Sequence, residues 1–153
     1  MSYAQGFYLV RHGSYNDDDD ALNTVGRESH APQAKNQLIA RGVGAGCILL
    51  SSDARRAAET AQIIGEGLGV EPVLSPVINE AGNHAWSVKD LDAVVEQALS
   101  EAGVVLDGTS QDLVVVTHAP MLAIARGVAS KDIGYGEVLA YTRNSWNNPG
   151  APK

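Results

Sequence analysis

Hydrophobic and polar positions alternate along this chain in two rhythms. Short unbroken apolar runs, Phe7-Tyr8-Leu9-Val10, Cys47-Ile48-Leu49-Leu50 and Leu113-Val114-Val115-Val116, have the length and side-chain types of buried strands. Between them the spacing turns helical. In the stretch from Gly26 to Ala40 a helical face carries Ala31, Ala34, Leu38 and Ile39, with Pro32 tolerable only in a first turn and Gly42 marking the end. A second helix runs through Ala54, Ala57, Ala58, Ala61, Ile63 and Ile64, with Ser51-Ser52-Asp53 offering N-cap side chains before it. A third spans Val88 to Ala102, apolar at Leu91, Val94, Val95, Ala98 and Leu99 and closed by Gly103. Pro120 is shaped for the first turn of a fourth, Met121 to Val128. Pro72 and Pro76 interrupt the apolar stretch Pro72 to Ile78, which predicts an edge strand or extended segment, and Val138 to Tyr141 supplies a last strand. Strands alternating with helices predict an α/β fold, a three-layer α/β/α sandwich whose central, mostly parallel sheet has helices on both faces.

Two of the predicted strands end in chemistry. The first stops at Arg11-His12-Gly13 and the third at Thr117-His118-Ala119-Pro120, and ligands in open α/β sheets sit outside the carboxyl ends of the strands. Arg55 and Arg56 fall in the first turn of the second helix. Cations are disfavoured there by the helix dipole, whereas an anion bound at the strand end would account for them. Ser14 to Asp20, with four successive aspartates, is polar and without period, which predicts an exposed, solvated acidic loop beside the site. Asn79 to Trp86 is an irregular loop carrying Glu80 and His84.

Composition narrows the function classes. The 153 residues fit a single domain, with a polar tail over about 144–153. Eleven Lys and Arg against eighteen Asp and Glu give a net charge of −7, so nucleic acid is a poor partner. The lone Cys47 fits a reducing compartment, and neither a secretory signal nor an apolar run long enough to span a bilayer is present. A soluble, cytoplasmic protein without membrane partners is the expectation. Four adjacent aspartates lack the spacing of a calcium loop, and no Cys/His cluster suggests zinc.

Taken together, Leu9-Val10-Arg11-His12-Gly13, Leu22-Asn23-Thr24-Val25-Gly26-Arg27, the run from Ser51 to Ala61 and Thr117-His118-Ala119-Pro120 resemble the motifs of the histidine phosphatase superfamily, in this order. The resemblance spans roughly Phe7 to Tyr141, and the compact layout is similar to the small phosphohistidine phosphatase branch. It implies that His12 is transiently phosphorylated, that Arg11 and Arg56, rather than Arg55, hold phosphate, that His118 is the second essential histidine, and that Glu80 is the proton donor, to which the residues themselves add His84 as an alternative. No metal or other cofactor is implied.

Phosphoryl transfer asks chiefly for positioning and for positive charge around three equatorial oxygens. Arg11, Arg56 and a protonated His118 are the expected cage, and His12 needs an acceptor, expected to be a backbone carbonyl, to fix its tautomer. The function implied is a metal-independent phosphatase acting on phosphohistidine in a protein or on a small phosphomonoester. A phosphate-binding regulatory module with little turnover is the alternative. A phosphoglycerate mutase is disfavoured by length and by Ser14 and the aspartate run, where mutases carry Glu and Asn.

Overall fold

In the computed structural model, residues 6–79, 88–104 and 111–141 are described. Their strands are β1 (Phe7–Arg11), β2 (Ile48–Ser52), β3 (Val73–Ser75), β4 (Leu113–Thr117) and β5 (Val138–Ala140). They form one sheet in the order β3-β2-β4-β1-β5. The first four are mutually parallel and β5 runs antiparallel on β1, so the expected mostly parallel α/β sandwich is observed.

Alternation within each strand divides the core. Leu9, Leu50, Leu113 and Val115 pack on one face with Leu91, Val95, Met121 and Leu122, from helices α3 (Val88–Glu101) and α4 (Ala119–Arg126). Val10, Leu49, Val114 and Val116 pack on the other with Leu38, Ala57, Ala61 and Ile64, from helices α1 (Ala31–Ala40) and α2 (Arg55–Leu68). All five β4 residues are buried, because this strand has helices over both faces and a neighbour on each edge. Each such Val or Leu contributes about 1.5–3 kcal/mol by leaving water.

Several elements differ from their predicted form. β2 extends through Ser51 and Ser52, since pairing with β3 and β4 carries the ladder past the apolar run. Those serines, both buried, are therefore strand residues rather than caps of α2; the N-cap is Ala54, without a side-chain cap bond of its own. Asp53 instead accepts the side-chain amide of Asn79. Pro32 does sit in the first turn of α1, but α1 continues a π-helical turn, Gly26–His30. Proline supplies no N–H to the ladder, and the wider winding falls just ahead of it. The Pro72 to Ile78 stretch divides into edge strand β3 and a 3₁₀ turn, Pro76–Ile78. α4 begins two residues early, with His118 as its N-cap and Pro120 inside its first turn.

Glu80, the loop onward to Trp86 and the tail from Asn144 lie outside the described residues. Among the described residues no helix is long and apolar enough to cross a membrane.

Candidate active site

Parallel pairing of β1 with β4 sets Arg11 beside Thr117, so the next residue of each strand, His12 and His118, leaves the sheet at the same edge. The backbone N–H of His12 still donates to the Thr117 carbonyl at 3.2 Å. The two buried imidazoles have ring centroids 5.2 Å apart. β2 flanks β4 on its other side, and its carboxyl end leads into α2, whose second residue is Arg56. The Arg56 guanidinium reaches both rings: Nε lies 3.3 Å from His12 Nε2 and Nη2 lies 3.4 Å from His118 Nδ1. Residues 12, 56 and 118, remote in the chain, thus meet at one point.

The partners fix both tautomers. His12 Nδ1 lies 2.8 Å from the Gly13 carbonyl; a carbonyl only accepts, so Nδ1 carries the proton and Nε2 presents its lone pair. The backbone acceptor expected from the sequence is present. His118 is turned the other way. Its Nε2 lies 2.8 Å from Ser52 Oγ, and Arg56 can only donate to Nδ1, so the lone pair facing the arginine is on Nδ1.

Burial pushes the His12 pKa down to about 3, helped by the charges of His118, Arg56 and Arg11 and opposed by the Gly13 bond. His118 is pushed to about 3 by burial and by Arg56, with Asp20 acting in the opposite direction. Beside Arg56 and Arg11, burial and like charge favour the neutral ring, and the added negative charge of an anion between these groups is what would raise its affinity for a proton, the state expected of His118 in a phosphate cage.

Arg11 lies at the same sheet edge. Its guanidinium stands 4.0 Å over the Tyr135 ring, and Nη1 donates to the Ile133 carbonyl at 2.6 Å. Its Nε is buried without a hydrogen-bond partner among the described residues, a donor suited to an anionic oxygen. Arg55, by contrast, is exposed and pairs with Glu59 one helical turn on. Of the two arginines, Arg56 reaches the histidines and Arg55 does not. Glu80 and His84 lie outside the described residues.

Motif residues with no assigned role prove to be supports. Thr60 accepts the Gly13 N–H at 3.0 Å and donates to the Arg56 carbonyl at 2.8 Å, tying the turn after His12 to α2. Glu59 accepts the Leu22 N–H at 2.8 Å. Glycine is required sterically at Gly26, where a Cβ would lie 2.1 Å from the Ser14 carbonyl oxygen, and a Cβ on Gly13 would be a tight fit 3.0 Å from Gly26 Cα. Three further neighbours had no sequence signal. Tyr15 and Tyr135 lie 5.3 and 6.0 Å from His12 between ring centroids. His30 accepts the Ser14 N–H and stacks on Tyr135, and burial and Arg11 hold its pKa below the ordinary value.

The family model of the histidine phosphatase superfamily (branch 1) matches residues 7–106. The chain belongs to the histidine phosphatase superfamily. Membership gives the class of enzyme, a phosphatase, and the class of chemistry, phosphoryl transfer through histidine. Solved structures of similar fold include the protein histidine phosphatase SixA complexed with tungstate, at 24% identity over 78% of this chain and 72% of that one, with a TM-score of 0.54. The putative phosphohistidine phosphatase SixA from Agrobacterium tumefaciens is 20% identical over 93% and 94%, with a TM-score of 0.60. A mycobacterial glucosyl-3-phosphoglycerate phosphatase is 19% identical over 88% and 90%, with a TM-score of 0.58. These likenesses show the fold. A search of curated proteins finds no match.

Proposed function

We propose that the chain is a metal-independent phosphatase that works through a phosphohistidine on His12, acting on phosphohistidine in a protein or on a small phosphomonoester. The observation that carries this reading is the placement of the His12 Nε2 lone pair 3.3 Å from the Arg56 guanidinium. A neutral, tautomer-fixed imidazole beside a phosphate-binding fork is a nucleophile aimed at the phosphorus of a bound phosphate.

In the first step Nε2 attacks phosphorus in line, the N–P bond forms and the bond to the leaving group breaks. Arg11 and Arg56 neutralise the equatorial oxygens, and this positive charge does the work that a metal would otherwise do. The dianion lets His118 take a proton on Nδ1 and donate it to a phosphate oxygen. Glu80 is the proposed donor to an alkoxide leaving group. It follows Asn79 and Ile78, and the Ile78 carbonyl accepts from Thr117, the neighbour of His118. Water then attacks the phosphohistidine, giving up its proton to the same acid–base group as the N–P bond breaks and phosphate leaves.

Acid-quench trapping with ³²P-labelled substrate in the presence of EDTA tests the reading. The expected product is an acid-labile, base-stable phosphoprotein that forms in the wild type and not in His12→Ala. Phosphate binding without a trapped intermediate or turnover would instead support the binding module, and turnover lost on adding EDTA would refute the metal-free mechanism.

A further inference from the structure

The acidic run contains one aspartate unlike its neighbours. Asp17, Asp18 and Asp19 are exposed, as expected of a solvated loop, but Asp20 is half-buried. The segment is not loose. The N–H of Asn16 donates to the Ala21 carbonyl at 2.8 Å, that of Asp20 to the Asn16 carbonyl at 3.0 Å, and Tyr15 bridges to Leu22 across the turn. Asp19 Oδ1 accepts the Ala21 N–H at 3.0 Å. Asp20 itself has φ +64°, the one non-glycine residue with positive φ among those described. Aspartate tolerates this left-handed conformation better than most residues, though at some cost, so the surrounding turn must hold it there.

That conformation delivers the carboxylate to Arg56. Oδ1 pairs with Nη1 at 2.5 Å, and Oδ2 accepts the backbone N–H of the same residue at 3.3 Å. The second bond supplies from another segment the side-chain cap that the N-cap of α2 lacks. The first has a different consequence. In a planar guanidinium Nε and Nη2 share one edge, and Nη1 stands at the opposite corner. Here the shared edge is the one directed at His12 Nε2 and His118 Nδ1, and Asp20 holds the far corner. The Tyr15 ring lies 4.8 Å from the guanidinium carbon and braces the group against tilting.

We propose that Asp20 is a positioning residue, whose carboxylate holds Nη1 so that the two-donor edge of Arg56 is set in advance toward the phosphate oxygens. The proposal rests on the phosphatase reading for its kinetic consequence, but its geometry stands apart from that reading. Its charge faces Arg56 directly and partly offsets the cationic pocket that also contains Arg11. A positioned arginine contributes mainly in the transition state, so its release shows in kcat more than in KM.

Asp20→Asn separates the two bonds. Asparagine tolerates the left-handed backbone and keeps an oxygen for the helix N–H, but removes the charge paired with Nη1. Asp20→Ala removes both. With an aryl phosphate as substrate, Asp20→Asn is expected to retain the wild-type melting temperature while kcat falls about tenfold or more and KM moves by less than about threefold. An unchanged kcat in a folded Asp20→Asn protein, or proportional changes in kcat and KM, would overturn the proposal and leave helix capping as the role.

The Arg56 Nε–H resonance of the full chain gives a second readout, independent of turnover. It is expected to be sharp in the wild type and exchange-broadened in Asp20→Asn; an unaltered resonance overturns the proposal. Wild type and His12→Ala are assayed alongside. An inactive wild type, or an active His12→Ala, refutes the phosphatase reading, whereas His12-dependent activity with unaltered Asp20 variants refutes the positioning role alone.

Discussion

The ends of β1 and β4 look alike in the sequence and differ in the folded chain. Each is an apolar strand delivering a buried histidine to the same sheet edge, and burial and neighbouring arginines push both pKa values down to about 3. The difference lies in which nitrogen is held. His12 gives Nδ1–H to a backbone carbonyl and leaves Nε2 facing Arg56, whereas His118 gives Nε2–H to Ser52 and leaves Nδ1 facing it. A backbone carbonyl is a fixed acceptor that cannot rotate away or donate in return. It holds His12 in one tautomer, as the proposed nucleophile requires. The Ser52 hydroxyl accepts Nε2–H whether or not Nδ1 is protonated, so the proton proposed for His118 is carried on the nitrogen that faces Arg56. Equivalent positions in a parallel ladder can thus take unequal chemical parts.

The largest expected effect separates the two rings. His12→Ala is expected to abolish turnover and phosphoenzyme formation together, while His118→Ala lowers kcat by about 10² to 10⁴ and still yields a trapped phosphohistidine. A phosphoenzyme in His12→Ala that is absent in His118→Ala would exchange the two roles.

A smaller effect asks whether His118 is the only proton carrier. Glu80→Gln is expected to slow hydrolysis of an alkyl phosphate about tenfold or more beyond its effect on an activated aryl phosphate, because only the alkoxide needs a proton. Equal losses on both substrates would remove Glu80 from the mechanism and leave proton transfer to the histidine.

The smallest effect is on stability. A histidine held neutral in the fold, with its pKa depressed from 6.5 to about 3, contributes stability that is complete above the unfolded value and is lost as pH falls from 6.5 toward 3. Between pH 7 and 5.5 each imidazole is expected to account for about 1 kcal/mol of the loss. Urea titrations of the wild type, His12→Asn and His118→Gln at both pH values measure it. A variant as acid-sensitive as the wild type would show that its histidine was not held neutral.

How much of this was legible beforehand follows from the range of each signal. Buried strands announce themselves by unbroken apolar runs, and the helices by their apolar spacing, so the layers and most element centres could be read from the chain. The ends could not. Ser51 and Ser52 read as caps because serine caps helices often, but a ladder with two neighbours extended β2 through them. Arg56 was separable from Arg55 through the motif that resembles the superfamily's, while Asp20 was indistinguishable from the three aspartates before it. Nothing local distinguishes the fourth carboxylate in a row. Its role depends on a backbone angle and on a helix thirty-six residues away.

What the chain alone determined was the α/β layering, the two histidines at strand ends and the arginines able to meet a phosphate, because these follow from local periodicity and side-chain chemistry. The folded structure decided which strand lies beside which, which ring nitrogen is free, that burial beside the arginines favours the neutral form of His118, and that Asp20 is bound to Arg56. Each of those depends on a partner distant in sequence, and hydrogen-bond direction and burial exist only once the partners have met.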